Sequence, residues 1–460
     1  LSPNKSKQSS GLFARIVAAV VCMTFALPAA AQLRIVVDGG VPNPIPVAVV
    51  PFGFEGPGSA PIDMAEVIDA DLTRSGRFAP LSRRRMLERP TDGSQVDYAD
   101  WAIFKAELVV VGKIAPMQDG QMRVTFQVMD VPRKEQLLGF TLASPPQDLR
   151  TTAHYISDVI YESLIGEPGI FSTRIAYVSA DPNNRERFSL VVADADGANQ
   201  REVINAASPI MSPAWSPDGK EMAYVVFENG GSAVYVQTLA TGQRRQVSAR
   251  KGVNGAPAFS PDGNKLALTL SDVNGNLDIF VADLRANTLT RITKHPAIDT
   301  EAAWSADGES IYFNSDRSGG PQVYQVSSGG GPAVRLTFEG TYNARPRVSP
   351  KGDKLAVVHI DDGKYRIATV QPRSGNVFVL SKGQLDESPS FAPNGSTLIY
   401  ATREGDRGVL ATVSTDGLVR QRLDSRGRDV REPVWGPLRS SRLTAKSREA
   451  TPPPSPSSTP

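Results

Sequence analysis

"SPAWSPDGK", residues 212–220, is a phrase the chain repeats. It returns as "APAFSPDGN" at 256–264 and "EAAWSADGE" at 301–309, with weaker echoes in "ARPRVSPKGD" from Ala344, "ESPSFAPNGS" from Glu387 and "REPVWGP" from Arg431. The bulky apolar residue of each copy is Trp215, Phe259, Trp304, Val348, Phe391 or Trp435, in steps of 44, 45, 44, 43 and 44 residues. Gly stands four residues after each of the first five, at Gly219, Gly263, Gly308, Gly352 and Gly395. A period of about 40–45 residues with several short strands per unit marks a β-propeller.

Between copies the sequence alternates as half-buried strands do, in "EMAYVVF" after Trp215 and in "KLALTL" and "LDIFVADLRANTLTRIT" after Phe259. Pro presets one turn dihedral and Gly takes the left-handed position, so the phrase reads as a turn that each blade must make. The repeat region opens with "RIAYVS" at 174–179, a second strand lacking a first, and closes with "REPVW", a first strand lacking a second. Joined, these halves make one blade, which predicts six blades over 174–436 with the ring closed by the C-terminal strand. Closure hides edges that an open array would expose.

The preceding part has a different texture. "LRIVVD" (33–38) and "PIPVAVVPF" (44–52) read as strands. Ile62, Ala65, Ile68 and Leu72 then recur at helical spacing, with Pro61 and Asp63 at the start and Gly76 as the stop. A helix over 97–105, the apolar run "AELVVVGKI", an alternating hairpin and a helix over 149–165 complete a small α/β domain at 32–165. "GEPGIF" opens a linker at 166–173. The expected architecture is therefore two-domain: a small α/β domain, then a six-bladed propeller.

The two ends read as processing and tail segments. Lys5, Lys7 and Arg15 precede the apolar run "IVAAVVCMTFAL" and the small-residue site "PAAAQ", the pattern of a secretory signal peptide over 1–31. That run is shorter than the ~20 residues a membrane span needs. The single cysteine, Cys22, lies within it, so the body has no thiol for a disulfide or a metal. Residues 437–460 are crowded with Pro, Ser and Thr and read as disordered. The formal net charge of +2 comes from these ends, and the body between them is mildly acidic. An acidic body lacks the basic face that nucleic acid requires.

No catalytic or metal-binding pattern emerges. Asp218, Asp262 and Asp307 recur in the turns, but Lys351 and Asn394 replace them in the next two copies, so they read as turn residues. His154, His295 and His359 lie in separate segments without zinc spacing and read as surface or half-buried side chains. "ADADG" (193–197) and "DVNGNLD" (272–278) lack the Gly and Glu of a calcium loop and read as hairpin turns. Neither G-x-S-x-G nor G-x-G-x-x-G is present. No cofactor is expected.

In a propeller the segments entering the innermost strands rim one mouth of the channel. Here they supply Asn254, Asp299, Thr300, Glu301, Asn343, Arg345, Asp386, Glu387, Arg431 and Glu432. Acids in adjacent segments, with two Arg among them, suit a polar peptide or protein surface.

"QLRIVVDGG", "PIPVAVVPF" and "AELVVVG", followed by "GAPAFSPDG", "TEAAWSADG" and "PQVYQV", resemble the TolB family of the Tol–Pal envelope system, from Gln32 to about Pro437. The resemblance implies a periplasmic, monomeric, non-enzymatic adaptor without nucleic acid or membrane insertion, supporting outer-membrane integrity and constriction at division. It implies that the lipoprotein Pal docks at the channel mouth, near Asn254, Gly255, Ala256, Thr300 and Glu301. It also implies that an extended N-terminus, here Gln32, Leu33, Arg34, Ile35, Val36, Val37, Asp38 and Gly39, binds TolA, and that colicins exploit the protein. A His found in relatives before the first docking segment is Val253 here, so that contact is not carried over. The competing class is a periplasmic propeller that binds a small molecule or hydrolyses one at the channel mouth.

Overall fold

Each of the first five copies of the repeated phrase ends an innermost strand and turns it into the next. In the computed structural model, which describes residues 34–86, 88–181, 184–425, 427–439 and 449–450, the turn glycines Gly219, Gly263, Gly308, Gly352 and Gly395 have φ between 67° and 76°. Asp218 fixes the first turn by accepting from the Ser216 hydroxyl at 2.7 Å and the Lys220 amide at 3.0 Å. Asp262 and Asp307 repeat this with Ser260 and Ser305. Where Lys351 takes the acid's place, Ser349 reaches Asp353 instead, at 2.7 Å. The acids are turn builders, as the sequence suggests.

Five blades are consecutive four-stranded antiparallel units: blade 1 over 210–248, blade 2 over 254–291, blade 3 over 299–335, blade 4 over 343–379 and blade 5 over 387–424. Blade 6 is composite. Its innermost strand, Asp429–Trp435, pairs antiparallel with Arg174–Asp181, and Asn184–Asp194 and Arg201–Ala206 follow outward. Trp435 Nε1 donates to Thr173 Oγ1 at 2.8 Å, and the Gly436 amide donates to the Arg174 carbonyl at 2.8 Å. Apolar clusters fill all six blade junctions, including Ile175, Tyr177 and Val191 of blade 6 against Ile399, Leu410 and Leu423 of blade 5.

The α/β domain is a mixed sheet in the order Glu135–Ser144, Met122–Asp130, Leu108–Pro116, Ile45–Val49, Phe78–Pro80. Helix α1 (Met64–Ser75) starts where Asp63 accepts from the Glu66 amide at 3.0 Å and stops at Gly76, whose φ is 64°. Helix α2 is Tyr98–Ile103, and α3 is Leu149–Ile165, which ends at left-handed Gly166. The "VVV" of the central strand is buried on both faces, as its unbroken apolarity requires: Val110 packs under α1 and α3, and Val109 and Val111 pack towards Trp101 of α2.

The strand Arg34–Gly39 departs from expectation. It belongs to neither edge of the α/β sheet but extends blade 5, pairing antiparallel with Val419–Asp424. The outermost strand of that blade has an open ladder, and Ile35 reaches the apolar cluster between blades 5 and 6. The linker is also less free than its Gly and Pro suggest. The buried Asp158 carboxylate accepts from the Phe171 and Ser172 amides at 2.7 and 3.1 Å. Arg77 meets Asp416 at 2.9 Å, and Asn394 Nδ2 donates to the Pro168 carbonyl at 2.9 Å, so the domains touch at blade 5.

The expected leader at 1–31, Gln32 and Leu33 lie outside the described residues, as does most of the expected tail. Within the tail, Glu449–Ala450 pairs with Thr141 and Phe140 at the sheet edge. Among the described residues no helix is long and apolar enough to cross a membrane.

Ring closure makes the last strand decisive for stability. Trp435→Ala should cost about 3 kcal/mol in denaturant unfolding, the range for truncating a large packed side chain. Deleting 431–435 should lower the melting temperature further and split the melt into separate transitions.

Candidate functional site

Every innermost strand breaks register after its opening residues, between Met211 and Ala214, Gly255 and Ala258, Thr300 and Ala303, Ala344 and Arg347, Glu387 and Ser390, and Arg431 and Val434. The residue inside each break has a left-handed backbone: Ser212, Ala256, Glu301, Arg345, Ser388 and Glu432, with φ from 46° to 56°. None is Gly. A non-Gly residue held there costs roughly 1–3 kcal/mol and persists only where surrounding structure imposes it. Here a bulge in each blade imposes it six times.

These bulges carry three charged side chains to the channel axis. Arg345 Nε lies 3.3 Å from Glu301, its Nη2 lies 3.0 Å from Glu432, and it also donates to the Ser388 hydroxyl. Arg347 meets the other oxygen of Glu301 at 3.1 Å, and the Ser212 amide donates to Glu432 at 3.2 Å. The result is a charge-balanced plug spanning blades 1, 3, 4, 5 and 6. Burial pushes the Glu301 carboxyl up, but Arg345 and Arg347 outweigh it and hold the group below its ordinary value. Glu301 in turn does most to keep Arg345 protonated. The plug divides the channel into an upper mouth of about 1280 Å³ and a lower funnel of about 640 Å³ lined by the repeated Pro and aromatic residues.

The rim residues expected from sequence divide by depth. Thr300, Glu301, Arg345, Glu387 and Arg431 line the upper mouth. Ala256 faces the lower funnel, and neighbouring Gly255 is half-buried beside Val253. Asn254, Asp299 and Asn343 do not offer their side chains to a partner, which corrects the sequence reading. All three are fully buried and already bound by neighbouring strand and loop groups. Asn254 accepts from the Ser248 hydroxyl at 2.6 Å and donates to the Arg250 carbonyl at 2.7 Å. Asp299 takes both its oxygens to Arg317, at 2.9 and 2.8 Å, and Asn343 is 2.9 Å from His359 Nδ1. A polar side chain at the start of an inner strand has loop amides, carbonyls and cations within reach, and burial obliges it to use them.

Sequence reasoning missed the second ring of the mouth. Asp406 and Arg407 come from the hairpin between the middle strands of blade 5, and Tyr342 and Tyr365 meet edge-on with centroids 5.4 Å apart. The available signal was the turn-rich hairpin tip, which antiparallel connectivity brings to the same end of the blade as the rim. On that face Val253, Val273 and Ile298 are 43%, 91% and 48% exposed. The two acidic turns are hairpins, as expected: Arg291 pairs with Asp272 at 3.1 Å and with Asp278 at 2.5 Å in the second. His154 and His359 are buried, not superficial, because each has a polar partner inside, Asp71 or Asn343.

Comparison with known proteins agrees with both domains. Residues 33–137 match the TolB amino-terminal domain, and residues 161–439 match the TolB beta propeller domain. The Tol-Pal system protein TolB of Xanthomonas euvesicatoria pv. vesicatoria is 46% identical over 434 residues, covering 93% of this chain and 99% of that one. Its counterpart in Xylella fastidiosa is 46% identical over 435 residues with the same coverage. The crystal structure of TolB from Acinetobacter baumannii superposes with a TM-score of 0.81 at 41% identity, covering 88% of this chain and all of that one. On shared domains, identity and three-dimensional match, the chain belongs to the TolB family.

Proposed function

We propose that the protein is a non-enzymatic periplasmic adaptor of the Tol–Pal system, taking Pal at its upper channel mouth and offering its N-terminal strand to TolA. The carrying observation is the mouth itself. A cavity of about 1280 Å³ lined by Glu387, Arg431, Asp406 and Arg407 opens at the end of the ring that carries the exposed apolar loops at Val253, Val273 and Ile298. Charged groups around apolar area on one face are the makings of a protein interface. Catalysis is disfavoured because the groups nearest the axis are already engaged, Glu301 and Glu432 with Arg345 and Arg347. Colicins would meet the same face.

The strand Arg34–Gly39 suits the second role because it is an appendage to blade 5. Val36 is 51% exposed, and the strand adds only a partly buried Ile35 to the cluster between blades 5 and 6. Such a segment can exchange its ladder partner for the sheet edge of another protein. If Pal favours the docked strand, TolA binding must weaken by the same factor, since coupling is reciprocal.

Calorimetric titration with the soluble domain of the organism's own Pal tests the first role. Glu387→Lys and Val253→Asp should each weaken binding at least tenfold, about 1.4 kcal/mol, at unchanged melting temperature. Glu301→Lys is a poorer probe because it leaves two half-buried Arg groups without their partner and should itself destabilise the ring. Absence of Pal binding by the folded protein would favour the small-molecule or hydrolase reading. Deleting 32–40 should abolish TolA binding while lowering the melting temperature only slightly, and unchanged TolA affinity would overturn the role given to the strand.

A further inference from the structure

The domain junction holds a buried group of charges that neither binding role uses. His154 lies on α3 and is 1% exposed. Its Nδ1 is 2.7 Å from Asp71 on α1, and its Nε2 points to Asp196 of blade 6, at 3.6 Å. That distance is too long for a hydrogen bond, and Nε2 has no other partner. Arg74 pairs with the second oxygen of Asp71, and Arg150 pairs with Asp196 across the junction. Asp194 lies beside them and accepts from Asn199 at 2.7 Å, and Asp158 holds the linker amides. These are the charged groups that face His154 from α1, α3 and blade 6, and the linker from 168 to 173 adds none.

His154, Asp194 and Asp196 have the mutual spacing of a cation site, but not its free lone pairs. Arg150 already takes the Asp196 oxygen nearest the imidazole, and Asn199 takes one of Asp194. Two guanidinium groups in the cluster would repel a divalent ion, whereas a proton needs only one ring nitrogen and two carboxylates beside it.

We propose that His154 is a proton-operated latch between the two domains: charged, it bridges Asp71 of α1 to Asp196 of blade 6, and neutral, it lets the junction loosen. Burial alone pulls the imidazole pKa down, but the Asp71 charge and hydrogen bond, with Asp196, outweigh it and the net shift is upward. Asp196 is held below its ordinary range: burial pushes it up, and Arg74, His154 and Arg150 together outweigh that. For a histidine whose folded pKa is raised, the contribution is complete below about pH 6.5 and is lost as pH rises through the folded value. Asp158, pushed up to about 6 by burial, titrates on the acid side of that loss. The latch shares its support with the N-terminal strand. Gln421, in the strand that pairs with Arg34–Gly39, donates to the carbonyl of Arg74 on α1.

Three histidines in the chain make the test direct. NMR titration of the mature protein should show one imidazole, lost in His154→Gln, titrating above about 6.5, and Asp196→Asn should lower that value. Protease cleavage within 166–173 should rise between about pH 6.5 and 9 in the wild type, and that rise should be lost in His154→Gln. An imidazole titrating at or below 6.5, or equal pH dependence in wild type and variant, would overturn the latch. So would a His154-dependent melting shift on adding zinc or EDTA, which would assign the cluster to a metal. The wild-type titration stands even if the variants fold poorly.

Discussion

Antiparallel pairing between Asp429–Trp435 and Arg174–Asp181 is the contact on which the rest of the structure depends. A blade is a small twisted sheet whose faces are both apolar, and it can bury them only between two neighbours. The clusters at all six junctions show this, since each joins residues of adjacent blades. Without the composite blade, blades 5 and 1 would each expose a face and Trp215 would lose the Val434 carbonyl its Nε1 reaches at 3.4 Å. Pairing residues more than 240 positions apart carries a loop-closure cost that grows slowly with length, so a few ladder bonds and apolar contacts suffice to hold it.

Closure also decides what the channel can be. Six left-handed bulges bring one residue per blade to the axis, where sequence-distant charges must either pair or be neutralised. Glu301, Arg345, Arg347 and Glu432 pair. An ion cluster in this position contributes little net stability against an apolar plug, because desolvation offsets most of the attraction. What it does provide is a charge-paired floor beneath a wide, charged mouth, which leaves the rim and its loops for recognition.

At the opposite end the α/β domain rests on blades 5 and 6 through a few polar contacts instead of a continuous apolar interface. Interfaces of this kind are weak and adjustable. The N-terminal strand, the linker pinned by Asp158 and the imidazole of His154 converge there, which makes this junction the natural place for binding at one end of the molecule to be felt by the other.

Much of the fold was legible because it rests on local, repeated constraints. The 44-residue period, the turn Gly at φ near 70°, the Asp63 cap, the Gly76 and Gly166 stops and the doubly buried "VVV" each follow from backbone sterics or from one strand's polarity pattern. The half-strands at 174 and 435 announced their own pairing because each lacked a partner. The site was legible only as a set of segments. Asn254 and Glu301 look alike as polar residues of entering loops, yet one is spent on the segment joining blades 1 and 2 and the other reaches the axis, because the bulge lies two residues beyond the first and at the second. The sequence by itself determined the number of blades, the closure and the two-domain order. Only the tertiary structure decided which rim residues face the mouth, that Arg34–Gly39 joins blade 5, and that His154 meets Asp196. Those contacts depend on positions tens to hundreds of residues apart, and no local pattern encodes the distance between them.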